Sequence, residues 1–144
     1  MKKQTLDLLH RYRKHLLERG QVSIVERLAE ENAQKVRVLQ LQQRVAETHQ
    51  AKLRASCSAD LTALDEAASY LHGRVTMAQR ALVLARRARE EAVAAALQLK
   101  KERDQVGSML ENDRRQTESA QDEAERLELN DLASARYVMA AGNV

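Results

Sequence analysis

Four histidines (His10, His15, His49 and His72) and one cysteine (Cys57) are the side chains here best suited to holding a metal or attacking a substrate. Their spacing supports neither. No HExxH or other strong zinc spacing is present. His49 and His72 would face each other only if two helices folded back on one another, and a metal between them would still need two more ligands. Cys57 has no histidine–acid constellation on a fixed scaffold and reads as an ordinary exposed loop thiol. The acids near the C-terminus read as helix-surface carboxylates, not as a catalytic pair in a pocket. Neither a GxxxxGK[ST] phosphate loop nor a GxGxxG turn occurs. Arg74, Arg80, Arg86, Arg87 and Arg89 concentrate positive charge without an intervening acid, yet no aromatic platform accompanies them for stacking bases. The expectation is a non-enzyme with no cofactor, no metal and no nucleic-acid partner.

The elements that would position these side chains are long helices. Proline, the strongest breaker of a helix interior, is absent. An alternating four-three spacing runs through Leu64, Ala68, Leu71, Val75, Ala78, Leu82, Ala85, Arg89, Ala92, Ala96, Leu99, Arg103, Val106, Leu110, Asp113, Thr117, Ala120, Ala124, Leu127, Asp131, Ser134 and Val138. Most of these positions are apolar, which is the a/d seam of a coiled coil. A weaker seam upstream follows Val25, Ala29, Asn32, Val36, Leu39, Gln43, Ala46, Gln50 and Leu53. Its amides would fix register at some cost in stability.

Between the seams lies Ala55-Ser56-Cys57-Ser58-Ala59-Asp60, small and polar, with Ser58, Asp60 or Thr62 able to cap the next helix. The fold class expected is therefore all-α: two long helices in an antiparallel coiled-coil hairpin, a single domain over 1–144. Helix one would run over about 3–55, the turn over about 56–61 and helix two over about 62–139. Gly20 stands where it would bend or interrupt helix one. Opposed residues would have numbers summing to about 117–120. Helix two is the longer, so Thr117–Ala141 would overhang without a partner in the chain, or fray.

Composition agrees. Aromatics are only 2% of residues, so the buried surface must be a narrow strip of Leu, Val and Ala. No run of about 18 apolar residues is present to span a membrane. The opening MKKQTLDLLHRYRKHLL carries charge through its apolar stretch, unlike a secretory signal. A lone cysteine suits a reducing cytosol. The net charge of +3 hides three blocks. Residues 1–20 are basic, 74–89 more strongly so, and 111–131 acidic. Such blocks either steer a partner or form solvated helix faces.

Apolar residues off the seam carry the functional argument. With Val36 at a and Leu39 at d, Val38 and Val45 fall at c and Leu41 at f, outside. With Ala68 at a and Leu71 at d, Tyr70, Met77 and Leu84 take successive c positions. Both stripes lie in the turn-proximal half and would form an adhesive patch, with a third helix or another copy of the chain as the simpler occupant.

SADLTALDEAASYLHGRVTMAQRAL, with its Tyr70-Leu71 pair and Gln79, and the ending KKERDQVGSMLENDRRQTESAQDEAERLELNDLASARY resemble the flagellar FliJ family of type III export proteins, related to the YscO-like stalk proteins of injectisomes. The resemblance extends over essentially the whole chain. It implies an antiparallel coiled coil similar to the central stalk of rotary ATPases. The paired terminal ends would enter the ring of the export ATPase, with Leu6, Leu9, Arg13, Leu127, Leu132 and Arg136 as the contacting residues. The turn-proximal half would meet the cytoplasmic linker of the export gate through Val38, Gln42, Val45 and His49 on helix one and Tyr70, Arg74, Met77 and Ala81 on helix two. Export chaperones are a further partner the resemblance implies. It also implies a cytoplasmic chain, peripherally associated with the membrane export apparatus and largely monomeric alone. The competing readings are an adaptor coiled coil that homo-oligomerises, an injectisome stalk protein, or a secretion chaperone.

Overall fold

The computed structural model describes residues 2–142. Two helices, α1 (Lys2–Arg54) and α2 (Ser58–Gly142), pack against each other as a helical hairpin, with no strand among the described residues. The expected all-α fold is present, with α2 the longer helix. The turn is shorter than expected. Among the described residues only Ala55, Ser56 and Cys57 lie outside the helices, and α2 begins at Ser58 instead of about 62. Ala55 donates its N–H to the Lys52 carbonyl and Leu61 donates its own to the Cys57 carbonyl, each at 3.2 Å. Ser58, Asp60 and Thr62 therefore sit within the helix instead of capping it. Asp60 places its carboxylate in the first turn, where the helix dipole favours negative charge. The Thr62 hydroxyl donates back to the Ser58 carbonyl at 2.9 Å.

The chain divides into two compact units. In the unit His15–Leu99, the α2 seam has the expected phase: Leu64, Ala68, Leu71, Val75, Ala78, Leu82, Ala85, Arg89, Ala92, Ala96 and Leu99 are all buried or half-buried. Val38, Leu41 and Ala78 form its core cluster, packed by Leu71, Val75 and Leu82.

The α1 seam departs from expectation. Val25, Ala29, Asn32, Val36, Leu39, Gln43, Ala46, Gln50 and Leu53 are exposed at every position. The residues facing α2 are instead Leu17, Gly20, Ile24, Glu31, Gln34, Val38, Leu41, Val45, Thr48 and Lys52. The two sets differ by two residues, which is about 200° of helix rotation. The true seam looks poor in sequence because of its polar members, but α2 satisfies several of them. Glu31 accepts a hydrogen bond from Arg89 and lies 3.6 Å from Arg86, and Lys52 pairs with Asp65. Gly20 does not interrupt α1. It sits in the seam, where an added Cβ would lie 3.4 Å from Leu99 Cδ1 and 3.7 Å from Ala96 Cβ. These opposed pairs have numbers summing close to the expected 117–120.

The other unit joins the stretch of α1 up to Lys14 with α2 from Lys100 onward. Leu6, His10 and Arg13 are half-buried on the α1 side, and Val106 is buried on the α2 side with Leu110 half-buried beside it. Arg13 donates to Glu102. The His10 ring lies beside Gly107, where a Cβ would meet His10 Cε1 at 3.4 Å. From Arg114 to Gly142 every residue of α2 is exposed, and the segment stays helical throughout.

Candidate partner-binding surfaces

Heptad phase decides which side chains α1 and α2 present to solvent, and the two helices behave differently. On α2 the seam phase is as expected, so the c-position stripe stands clear of it. Tyr70 is 65% exposed and Met77 67%, with Leu84 similarly open. Arg74 lies one turn from Tyr70 and places its Cζ 6.0 Å from the ring centroid, within reach of a cation–π contact. Arg74, Met77 and the half-buried Ala81 line one shallow groove together with Arg37 and Ala78. Thr76, Gln79, Arg80, Val83 and Leu84 line another on the same helix. The surface is apolar at its centre and arginine-rich at its rim.

On α1 the corrected phase removes residues from the expected patch. Val38 is 8% exposed and Val45 half-buried, and both pack into the seam, as does Leu41. The cause is the two-residue offset described above. These three valine and leucine side chains belong to the hairpin core, so they are not a surface stripe. Gln42 and His49 are exposed as expected. Thus Tyr70, Arg74, Met77 and Ala81 come together, while Val38 and Val45 do not join them. Arg37 and Val83 are members of this surface that sequence reasoning missed. Arg37 would have been found once Val38 was assigned to the seam, because its neighbour then flanks the groove.

The residues assigned to the terminal ends divide in the same way. Leu6 is half-buried in the seam, and Arg13 is occupied by Glu102. Leu9, Leu127, Leu132 and Arg136 are exposed, as are Leu129, Tyr137, Val138 and Met139, several of which heptad spacing alone did not single out. Local charge pairs support the start of this stretch. Arg114 lies 3.0 Å from Glu111 and 3.4 Å from Glu118, and Arg115 lies 3.2 Å from Glu111. The hydrogen bonds from Arg114 and then Arg115 hold the Glu111 carboxyl below its ordinary value, and Glu111 in turn raises Arg114. The Thr117 hydroxyl donates to the Asp113 carbonyl at 2.9 Å.

Among the described residues no group of three or more His, Cys, Asp or Glu side chains is arranged to hold a metal ion. His49 and His72 are both exposed, and Cys57 is an exposed free thiol in the turn. No helix among the described residues is long and apolar enough to cross a membrane. What these surfaces can do is bind: an apolar strip flanked by charge recognises another helix or a groove of matching polarity. Comparison with family models, with curated proteins and with solved structures yields no significant match to this chain.

Proposed function

We propose that this chain is a non-catalytic coiled-coil stalk that binds one partner through the free end of α2 and a second through the Tyr70–Met77 surface. The observation that carries the reading is the helical stretch from Arg114 to Gly142, exposed at every residue and bearing Leu127, Leu129, Leu132, Tyr137, Val138 and Met139. This stretch continues α2 without any packing against α1, and its apolar residues contribute nothing to the hairpin. They favour a protein partner.

The resemblance of the sequence to the FliJ family supplies the identity of those partners. The end of α2 enters the ring of a flagellar export ATPase, and Tyr70, Arg74, Met77 and Ala81 meet the cytoplasmic linker of the export gate. Gln42 and His49 remain available on α1 for the same contact, and export chaperones are further partners. The chain would then work in the cytoplasm at the periphery of the membrane export apparatus.

The test is co-purification with an export ATPase, and stimulation of that ATPase's ring assembly. Leu127→Glu with Leu132→Glu should abolish both without changing helicity. Tyr70→Glu with Met77→Glu should weaken binding of the gate linker and leave the ATPase interaction intact. Unchanged binding in the first pair would remove the assignment of the α2 end, and unchanged binding in the second that of the outer surface.

A further inference from the structure

The outer face of α1 carries a second complete heptad stripe that the hairpin leaves uncovered. Its apolar members are Val22, Val25, Val36, Leu39 and Leu53, with Leu39 65% exposed and the others open to a similar degree. Ala29 and Ala46 complete the apolar layers, and Asn32, Gln43 and Gln50 occupy the remaining ones. All ten positions keep the alternating three-four spacing and all are exposed. The stripe lies about 160° around the helix from the residues that face α2, so a helix laid along it would not touch the existing seam.

We propose that this face pairs with the same face of a second copy of the chain, as a parallel, in-register coiled coil over residues 22–53. Two observations select this occupant. The first is the set of core amides. An amide in a coiled-coil layer needs a polar partner in that same layer, and a polar core residue is tolerated where it fixes register. A second copy in register supplies that partner automatically: Asn32 on Asn32, Gln43 on Gln43, Gln50 on Gln50. An unrelated apolar helix would leave all three facing hydrocarbon.

The second is flanking charge. In the parallel arrangement the neighbours across the interface are Gln21 with Glu26, Leu28 with Ala33, Lys35 with Gln40, Gln42 with Glu47 and, with histidine neutral, His49 with Arg54, none of them like-charged. The antiparallel arrangement centred between Val36 and Leu39 instead sets Glu26 against Glu47 and Arg19 against Arg54, both repulsive. The parallel pairing is isologous, each layer meeting its own copy, and so it closes as a dimer. This departs from the monomer implied by the family resemblance and is independent of the assignment of the α2 end, because it uses none of residues 114–142, and it shares only the flanking residues Gln42 and His49 with the surface offered to the gate linker.

Sedimentation equilibrium of the full chain tests the pairing. A monomer–dimer equilibrium is expected. Leu39→Glu should weaken self-association about tenfold or more with helicity unchanged, and Leu127→Glu should leave it unaltered. In a Cys57→Ser background, Leu39→Cys should give a disulfide-linked dimer on mild oxidation. A chain that stays monomeric at all concentrations overturns the proposal. So does a trimer, or a dimer that survives Leu39→Glu or is lost with Leu127→Glu. Cross-linking only between a Val36→Cys chain and a Leu39→Cys chain would mark the antiparallel pairing and would equally overturn it. Retention of ATPase binding by Leu39→Glu separates failure here from failure of the stalk reading.

Discussion

Glu31 of α1 and Arg89 of α2 form an ion pair inside the seam, and Glu31 is only 2% exposed. Lys35 lies 3.2 Å from the same carboxylate and Arg86 3.6 Å. A charge at this depth is tolerated because donors from both helices surround it. Removing one member leaves the others uncompensated.

Glu31→Ala should therefore lower the thermal midpoint followed by circular dichroism, and Arg89→Ala should do so as well. The double variant Glu31→Leu/Arg89→Leu should recover the wild-type midpoint or exceed it, since an apolar pair of similar volume removes both desolvation costs. A double variant as unstable as the two single losses added together would show that the pair is not coupled.

The Glu31 carboxyl is held below its usual 4.5, first by the hydrogen bond from Arg89 and then by Lys35, against the opposing effect of burial. Glu111 is lowered likewise by Arg114 and Arg115. A depressed folded-state value means these carboxylates stabilise the fold fully above about pH 4.5, and the contribution disappears as pH falls through the folded value. Melts recorded from neutral pH down to pH 3 should show a loss of stability that is smaller in Glu31→Gln. Equal acid sensitivity in the two proteins would exclude Glu31 as a contributor.

Leu41 and Leu39 are two residues apart and have opposite fates, 7% and 65% exposed. Urea unfolding at high dilution should show Leu41→Ala costing about 2 kcal/mol, and Leu39→Ala less than about 0.5 kcal/mol. The reverse order would restore the seam through Val36 and Leu39.

Gly73 lies in the interior of α2 with open space around the position of a Cβ. Gly73→Ala should stabilise the chain by about 0.5–1 kcal/mol through helix propensity alone. Gly20→Ala should gain at least as much, because the new methyl meets Leu99 and Ala96 at ordinary contact distance and adds apolar contact in the seam. Both effects are read from the urea midpoint at constant slope.

Much of the architecture was legible in the residues. The absence of proline, the small polar stretch at 55–60 and the four-three spacing of α2 pointed to a helical hairpin with a longer second helix. Helical periodicity is local, and α2 has a single dominant apolar stripe up to Leu110, so its seam phase and the outward placement of Tyr70, Met77 and Leu84 follow from the sequence.

The phase of α1 did not follow, because α1 carries two stripes at the same spacing. One is nearly continuous in apolar and amide residues; the other is interrupted by His10, Arg13, Arg27, Glu31, Gln34 and Lys52. Hydrophobicity alone favours the first. The second wins because α2 supplies Glu102, Arg89 and Asp65 opposite Arg13, Glu31 and Lys52, and a charge met across a seam behaves differently from one left alone. A signal was present: Arg89 in the α2 seam needs an acid opposite it, and the expected register sets residues 28–31 there, among them Glu30 and Glu31.

The sequence by itself determined that there are two helices, where the chain turns and how α2 is phased, since propensity and periodicity act within one element. Only the tertiary structure decided which face of α1 is core and which is surface. That choice depends on charges paired between residues dozens of positions apart, and no single-helix pattern contains them.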